Sequence, residues 1–372
     1  MKALELMEDN RVIIRAIADE FSASPGGYRV ARDIYSLILE ANPLDVTVIR
    51  ILARLCGQLK EVDLAYGYYA ALLAMVPGDE EAHRYVEACR ETRPELPSRS
   101  LSEEECFELM PEVPGSKVEE FFSAMAPAAL AATTGSLTRR GVTERDRLKP
   151  TEPKTLQVVG ALELLGVLDV SLFLWRAGRF ECEVEMGPDP AFLLGGGLLN
   201  SESTKERLFL VTRTGELFRR GHLLCCRGSL ESTGKFIDGL IYAVDDGIES
   251  PRLDMGTRRF AGVVGESLSE GLKERLKPGL MQFRDGVTDA ELSAWREGVI
   301  AKSGRVALLL TCDLSEAVSA ICREAGQETA SYEERMRAIK ETPELLDLIE
   351  FGLSEEFFRL RRELGLSVKM VG

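Results

Sequence analysis

Histidine is almost missing from this chain: His83 and His222 are the only two in 372 residues. Imidazole is the commonest general base and the commonest zinc ligand, so that scarcity narrows the catalytic and metal chemistry open to the protein. Positive charge is also short, with 46 Lys and Arg against 61 Asp and Glu, a formal net charge of −15. Nucleic acid and anionic bilayer surfaces both call for a basic face, so neither partner is expected. No apolar run approaches the ~18 residues of a membrane-crossing helix. The opening MKALELMEDNRVIIRAIADEF lacks the basic-then-apolar order of a secretory leader. Nucleophile-elbow and phosphate-loop patterns are missing as well. These absences predict a soluble cytoplasmic protein with no cofactor and no membrane association.

Apolar residues make up 45% of the chain, enough for a sizeable core, and the length allows two or three domains. The eight cysteines (56, 89, 106, 182, 225, 226, 312 and 322) are scattered through apolar periodic segments. They read as small buried hydrophobes in a reducing compartment.

An internal repeat organises the N-terminal third. Ala31, Tyr35, Ile38 and Pro43 recur 34 residues later as Ala65, Tyr69, Leu72 and Pro77. Ile49, Leu52, Ala53 and Cys56 fall on one face of the helix between them. The spacing resembles the tetratricopeptide repeat, with Ile49, Ala53 and Cys56 standing where that family has Trp, Gly and its first Tyr. Residues 12–45 fit a first repeat in their second helix, and 80–92 fit the first helix of a third, acting as a cap. The resemblance implies a repeat core built on Ala31, Tyr35, Ala65 and Tyr69, and a face that holds a protein or peptide.

Residues 93–116, with four prolines and a cluster of acids, read as a linker carrying one short amphipathic piece. Beyond it the pattern is mixed. A helix is expected at 155–165, strands in DVSLFLWR and RFECEVEM, and a third strand in AFLLGGGLLNS. The Gly195–Gly197 interruption predicts a bulged or twisted edge strand where backbone approaches backbone. A helix from Ser203 to Arg219 has Ser203 as N-cap and Glu206 at the capping-box position. Further helices are expected at 230–244, 288–302, 305–324, 332–352 and 354–365. A second polar break covers 133–154. The predicted architecture is α+β and mostly helical: repeats over 1–92, a linker over 93–116 and a mixed α/β domain with a small sheet over 117–372.

PAFLLGGGLLNSESTKERLFLVTRTGELFRRGH resembles the strand and active helix of HtpX-like gluzincin metallopeptidases. That resemblance sets Arg213 at the first zinc-ligand position, Thr214 at the general base and Leu217 at the second ligand, with Lys302 at the third in KSGRVALLL. Two cations and a leucine cannot hold Zn²⁺, so the implied domain is a zincin-like fold without its metal. Its R-x-x-L-L-L-x-x-D-L-x-x-A stretch, from Arg305 to Ala317, and its ending from Ser354 to Gly365 are similar to the C-terminal halves of long bacterial repeat proteins.

His222, Cys225 and Cys226 form the one His/Cys grouping, and without a second pair they read as buried structure rather than a metal site. Arg213, Glu216 and Arg220 share one helical face and read as a surface ion-pair ladder. Leu345, Leu346, Leu348, Ile349 and Phe351, with Phe357, Phe358 and Leu360, read as helices docked on a core. The function expected is that of a non-catalytic interaction or scaffold protein, a pseudoenzyme that binds through its repeats. Two alternatives stand beside it: a hydrolase with a site around Arg213–His222, and a sensory module binding a small ligand.

Overall fold

The computed structural model describes residues 2–92, 94, 96–110, 116–133, 135–186, 189–226, 228–248, 250–327 and 331–369. It is mostly helical with one small mixed sheet. Its internal contacts divide the chain into Met1–Arg99 with Leu308–Gly372, and Ser100–Ala307. A sequential division near 92 and 117 is therefore not how the chain groups, because the C-terminal helices join the N-terminal ones.

The first unit opens with α1 (Lys2–Ser22), α2 (Tyr28–Ala41), α3 (Val46–Gln58), α4 (Val62–Met75) and α5 (Glu80–Ala88), each packed against the next. The 34-residue offset seen in the sequence is structural. Ala31 and Ala65 are both buried without residual exposure, and so are Val48 and Ala82. Small residues at these positions let the helices approach closely. Asn42 and Val76 end α2 and α4 by donating their N–H groups to Ile38 and Leu72. Asp45 then caps α3 by accepting from Thr47 and Val48, and Asp79 caps α5 by accepting from Ala82. Both repeat tyrosines are buried and donate to an acid, Tyr35 to Asp19 and Tyr69 to Glu81.

Ten of the fourteen residues of α4 are buried, around its whole circumference. A helix apolar on every side needs cover on every side. Beyond the second unit, α16 (Leu314–Glu324), α17 (Tyr332–Glu341), α18 (Pro343–Gly352) and α19 (Glu355–Glu363) complete the first unit. Three of them, α16, α17 and α18, pack on α4, while Phe358 of α19 lies where a side chain on Gly67 would have to go. Gly67→Ala should therefore lower stability by about 1–3 kcal/mol through overpacking. A urea midpoint equal to wild type would show that the C-terminal helices do not press on α4.

The second unit contains α6 (Glu103–Glu108), α7 (Ser116–Ala132), α8 (Pro153–Leu164), β1 (Ser171–Trp175), β2 (Cys182–Glu185), β3 (Ala191–Gly195), α9 (Gly196–Asn200), α10 (Thr204–Arg219), α11 (Leu223–Cys226), α12 (Leu230–Val244), α13 (Met255–Ser267), α14 (Glu270–Gly286) and α15 (Asp289–Thr311), whose last turn crosses the unit boundary. The linker's amphipathic piece is α6, while Arg93, Glu95 and residues 111–115 of that linker lie outside the described residues. The polar break at 133–154 holds two short 3-10 turns, Leu137–Arg140 and Glu144–Asp146.

The sheet order is β1-β3-β2, with β3 parallel to β1 and antiparallel to β2. The glycine-interrupted strand is thus central, not an edge, and all five of its residues are buried. Only its first part is extended, since Gly196 begins a helical turn. The glycines do serve a close backbone approach: a Cβ on Gly195 or Gly197 would stand 2.7 or 2.6 Å from the Arg179 carbonyl oxygen.

Helix boundaries shift where local chemistry demands it. The 288–302 and 305–324 helices are divided at Cys312, which has a positive φ, and Asp313 caps α16 through the Glu316 N–H at 3.1 Å. The 332–352 helix breaks at Thr342, which is extended ahead of Pro343.

Candidate functional site

On the first unit, the repeat hairpins are braced by ions. Arg15 pairs with Asp45 at 3.6 Å, Arg32 with Glu61 at 2.5 Å and Arg50 with Asp79 at 2.5 Å. Arg54 and Tyr69 both reach Glu81, whose carboxyl is held down to about 2, chiefly by Arg54. With Ala31, Tyr35, Ala65 and Tyr69 buried, these residues belong to the repeat's interior. Apolar side chains also face outward. Among the described residues eleven large hydrophobic side chains are exposed, and six of them (Val12, Ile13, Ile17, Phe21, Val30 and Leu37) lie on α1 and α2. Ile13, Ile17 and Phe21 recur every four residues, one stripe along α1.

On the second unit, α10 is buried over twelve of its sixteen residues. Thr214 donates its hydroxyl to the Cys182 carbonyl at 3.2 Å, tying α10 to β2, and Leu217 is core. Arg213 is half-buried, and Lys302 is buried on α15. Of these four positions, Lys302 enters a polar cluster. Burial pulls its ammonium pKa down against the field of Glu216, Glu119 and Cys106. Glu216, 2% exposed, binds Arg219 and lies 3.8 Å from Arg220. The Arg213, Glu216, Arg220 face is consequently no surface ladder, because its acid is inside the protein.

The residue at the centre of this cluster is Glu119, from α7. Its carboxylate accepts from His222 Nε2 at 3.0 Å, Trp295 Nε1 at 2.9 Å and the Ser123 hydroxyl at 3.1 Å. Burial alone would raise its pKa. The donors, His222 first among them, outweigh that and hold it at about 2. Phe122 stacks on His222 with ring centroids 5.3 Å apart, and Trp295 meets the same ring edge-on at 5.9 Å. His222 is enclosed by this aromatic cage, so the rival hydrolase arrangement is not assembled at a surface. Cys225 is also buried, and burial pushes its thiol well up. Among the described residues, no three His, Cys, Asp or Glu side chains are gathered to hold a metal ion. Arg219 donates to the Cys106 sulfur at 3.2 Å, whose thiol burial likewise raises.

Clefts open on this unit. One, of about 460 Å³, lies where α8 and α10 end and is lined by Arg219, Arg220 and Glu163. Arginines there complement the carbonyl ends of the two helices. Another, of about 370 Å³, runs beside α12, α14 and α15, where Arg252 pairs with Asp289 at 2.6 Å and Ser250 donates to Asp238 at 2.6 Å. No helix among the described residues is long and apolar enough to cross a membrane. Compared with known proteins, the chain matches no family model, no curated protein and no solved structure.

Proposed function

We propose that this chain is a non-catalytic interaction protein that binds a protein or peptide segment through its N-terminal helical repeats. The observation that carries the reading is the exposed apolar stripe on α1 and α2, in a repeat whose other second helix, α4, is covered by its own chain. Clustered exposed hydrophobic residues mark surfaces that are covered in a complex. The 34-residue equivalence of caps, small residues and tyrosines supports the tetratricopeptide-like reading, and such stacks bind along one face. The likeness to metallopeptidases is part of the same proposal as a metal-free scaffold. Leu217 in the core and Thr214 on the Cys182 carbonyl support that role, since neither is placed to act on a substrate.

The test is the double variant Ile13→Asp with Ile17→Asp, at positions 59% and 46% exposed. Exposed substitutions change stability by about 0.5 kcal/mol or less, so the variant should unfold like wild type. Affinity purification from the native host should recover a defined protein with wild type and lose it with the variant. The same protein recovered from both would sink the repeat-mediated reading.

A further inference from the structure

The internal equivalence of the repeats shows what the exposed residues of α1 and α2 lack. At an offset of 34 residues, α1 from Val12 onward corresponds to α3, and α2 corresponds to α4. Ala18 and its counterpart Leu52 are both buried without residual exposure. Elsewhere the two repeats differ. Phe21 is 41% exposed where its counterpart Leu55 is 5% exposed, and Leu37 is 48% exposed where Ala71 is fully buried. The neighbours account for the difference. In the second repeat, α3 lies between α2 and α4, and α4 is covered by α5, α16, α17 and α18. In the first, α1 packs on α2 and on the 3-10 turn between them, Pro25–Gly27. Repeats of this kind bury their apolar faces by stacking helix on helix. The cover that fits the first repeat is therefore another helix.

Charge decides what kind of helix. On α2, Val30, Asp33, Leu37 and Glu40 recur at three- and four-residue spacing, so acids alternate with exposed apolar residues along one face. On α1, Glu20 lies one turn beyond Ile17 and next to Phe21. All three acids are exposed, and Glu20 and Glu40 form no ion pair among the described residues. The half-buried cations nearby are engaged, Arg15 by Asp45 at 3.6 Å and Arg32 by Glu61 at 2.5 Å. Arg29 is the exposed exception. A second copy of this surface would bring acid against acid, which disfavours self-association here.

We infer, building on the reading that the repeats bind a protein segment, that this surface takes a basic amphipathic helix of another protein. Its apolar row lies along Ile13, Ile17, Phe21, Val30 and Leu37, and its Lys or Arg flanks meet Glu20, Asp33 and Glu40. The formal charge of −15 draws such a helix in from a distance.

The experiment is fluorescence anisotropy of labelled peptides titrated with the full chain. One peptide, of about 18 residues or five helical turns, carries leucine on one face and lysine on the other. A second has glutamate in place of each lysine, and a third has the leucine–lysine composition scrambled out of helical register. Wild type should bind the lysine peptide saturably, about tenfold or more tightly than either of the others. Ile17→Asp should weaken that binding by about tenfold or more. Glu20→Lys with Glu40→Lys should weaken the lysine peptide and tighten the glutamate peptide, a reversal that an indifferent apolar surface would not give. This charge reversal decides the matter if Ile17→Asp does not fold. No saturable binding of the lysine peptide up to about 100 μM chain would overturn the inference. So would equal affinity for the scrambled peptide, or affinities unchanged in the variants. A dimer in sedimentation that Ile17→Asp dissociates would overturn it too, by giving the surface to a second copy. If the lysine peptide fails while Ile13→Asp with Ile17→Asp still loses a native partner, the repeats bind a segment of other chemistry. A partner retained by that double variant strikes both readings.

Discussion

Glu119→Gln should flatten the acid limb of this protein's stability profile and destabilise it at neutral pH by roughly 2–4 kcal/mol. Glu119 in the folded chain has a pKa of about 2, against an ordinary value of 4.5. A depressed carboxyl contributes stability that is fully present above the unfolded pKa and is lost as pH falls through the folded one. The window is therefore pH 4.5 down to about 2. The contribution at pH 7 is roughly 3 kcal/mol, an upper figure because part of the carboxylate is open to solvent. Replacing the carboxylate leaves the indole N–H of Trp295 and the imidazole of His222 with a neutral amide that can accept at one oxygen only. Urea midpoints measured for wild type and variant from pH 7 to pH 3 check this. The two curves should converge as pH falls below 4.5. A difference independent of pH would show that Glu119 stabilises by packing and not by charge.

No local pattern in the sequence foretells this cluster. Glu119 meets His222 and Trp295 across 103 and 176 residues. His222 stands out in the sequence only because histidine is rare, and the cysteines grouped with it there are Cys225 and Cys226. The folded chain turns its Nε2 to Glu119 instead. The buried charges of α10 were equally hidden. Leu208, Val211 and Leu217 with Phe218 are spaced at a helical period, which says nothing of the polar side chains between them, whereas twelve residues of α10 are buried and carry Lys205, Glu206 and Arg207 inside with them.

The repeat was legible for the opposite reason. Its determinants are local: a small residue at a helix crossing, a tyrosine one turn on, a proline after the helix and an aspartate cap, all repeated at one offset. Helices α13 and α14 escaped because three glycines interrupt the first and Pro278 sits inside the second. Their starts are fixed by caps, Asp254 accepting from Thr257 and Ser269 from Leu272, which outweigh weak helix propensity in between. The apolar circumference of α4 signals that something covers it, but nothing local says that the cover lies more than two hundred residues downstream.

That cover yields the other large expected effect. Arg361→Ala should destabilise the first unit by about 3–5 kcal/mol, because it breaks a buried pair and leaves the acid behind. Arg361 is 1% exposed, and its Nη2 lies 2.9 Å from Asp63 on α4. The same Asp63 oxygen accepts the Val368 N–H at 2.8 Å, so one carboxylate ties both α19 and the strand of chain after it to the repeat. The guanidinium also lies over the rings of Tyr66 at 5.3 Å and Phe357 at 5.5 Å. Burial opposes its charge, and the field of Asp63 is among the effects that outweigh this and keep its pKa raised. Arg361→Lys should recover less than half of the loss, since an ammonium keeps the charge but not the planar group that stacks between two rings. In a double-mutant cycle with Asp63→Asn the losses should be strongly non-additive. Denaturant midpoints of the three variants and the double variant measure all of this. Additive losses, or a lysine that restores full stability, would mean that α19 docks on α4 through its phenylalanines alone, with Arg361 filling space rather than joining the two.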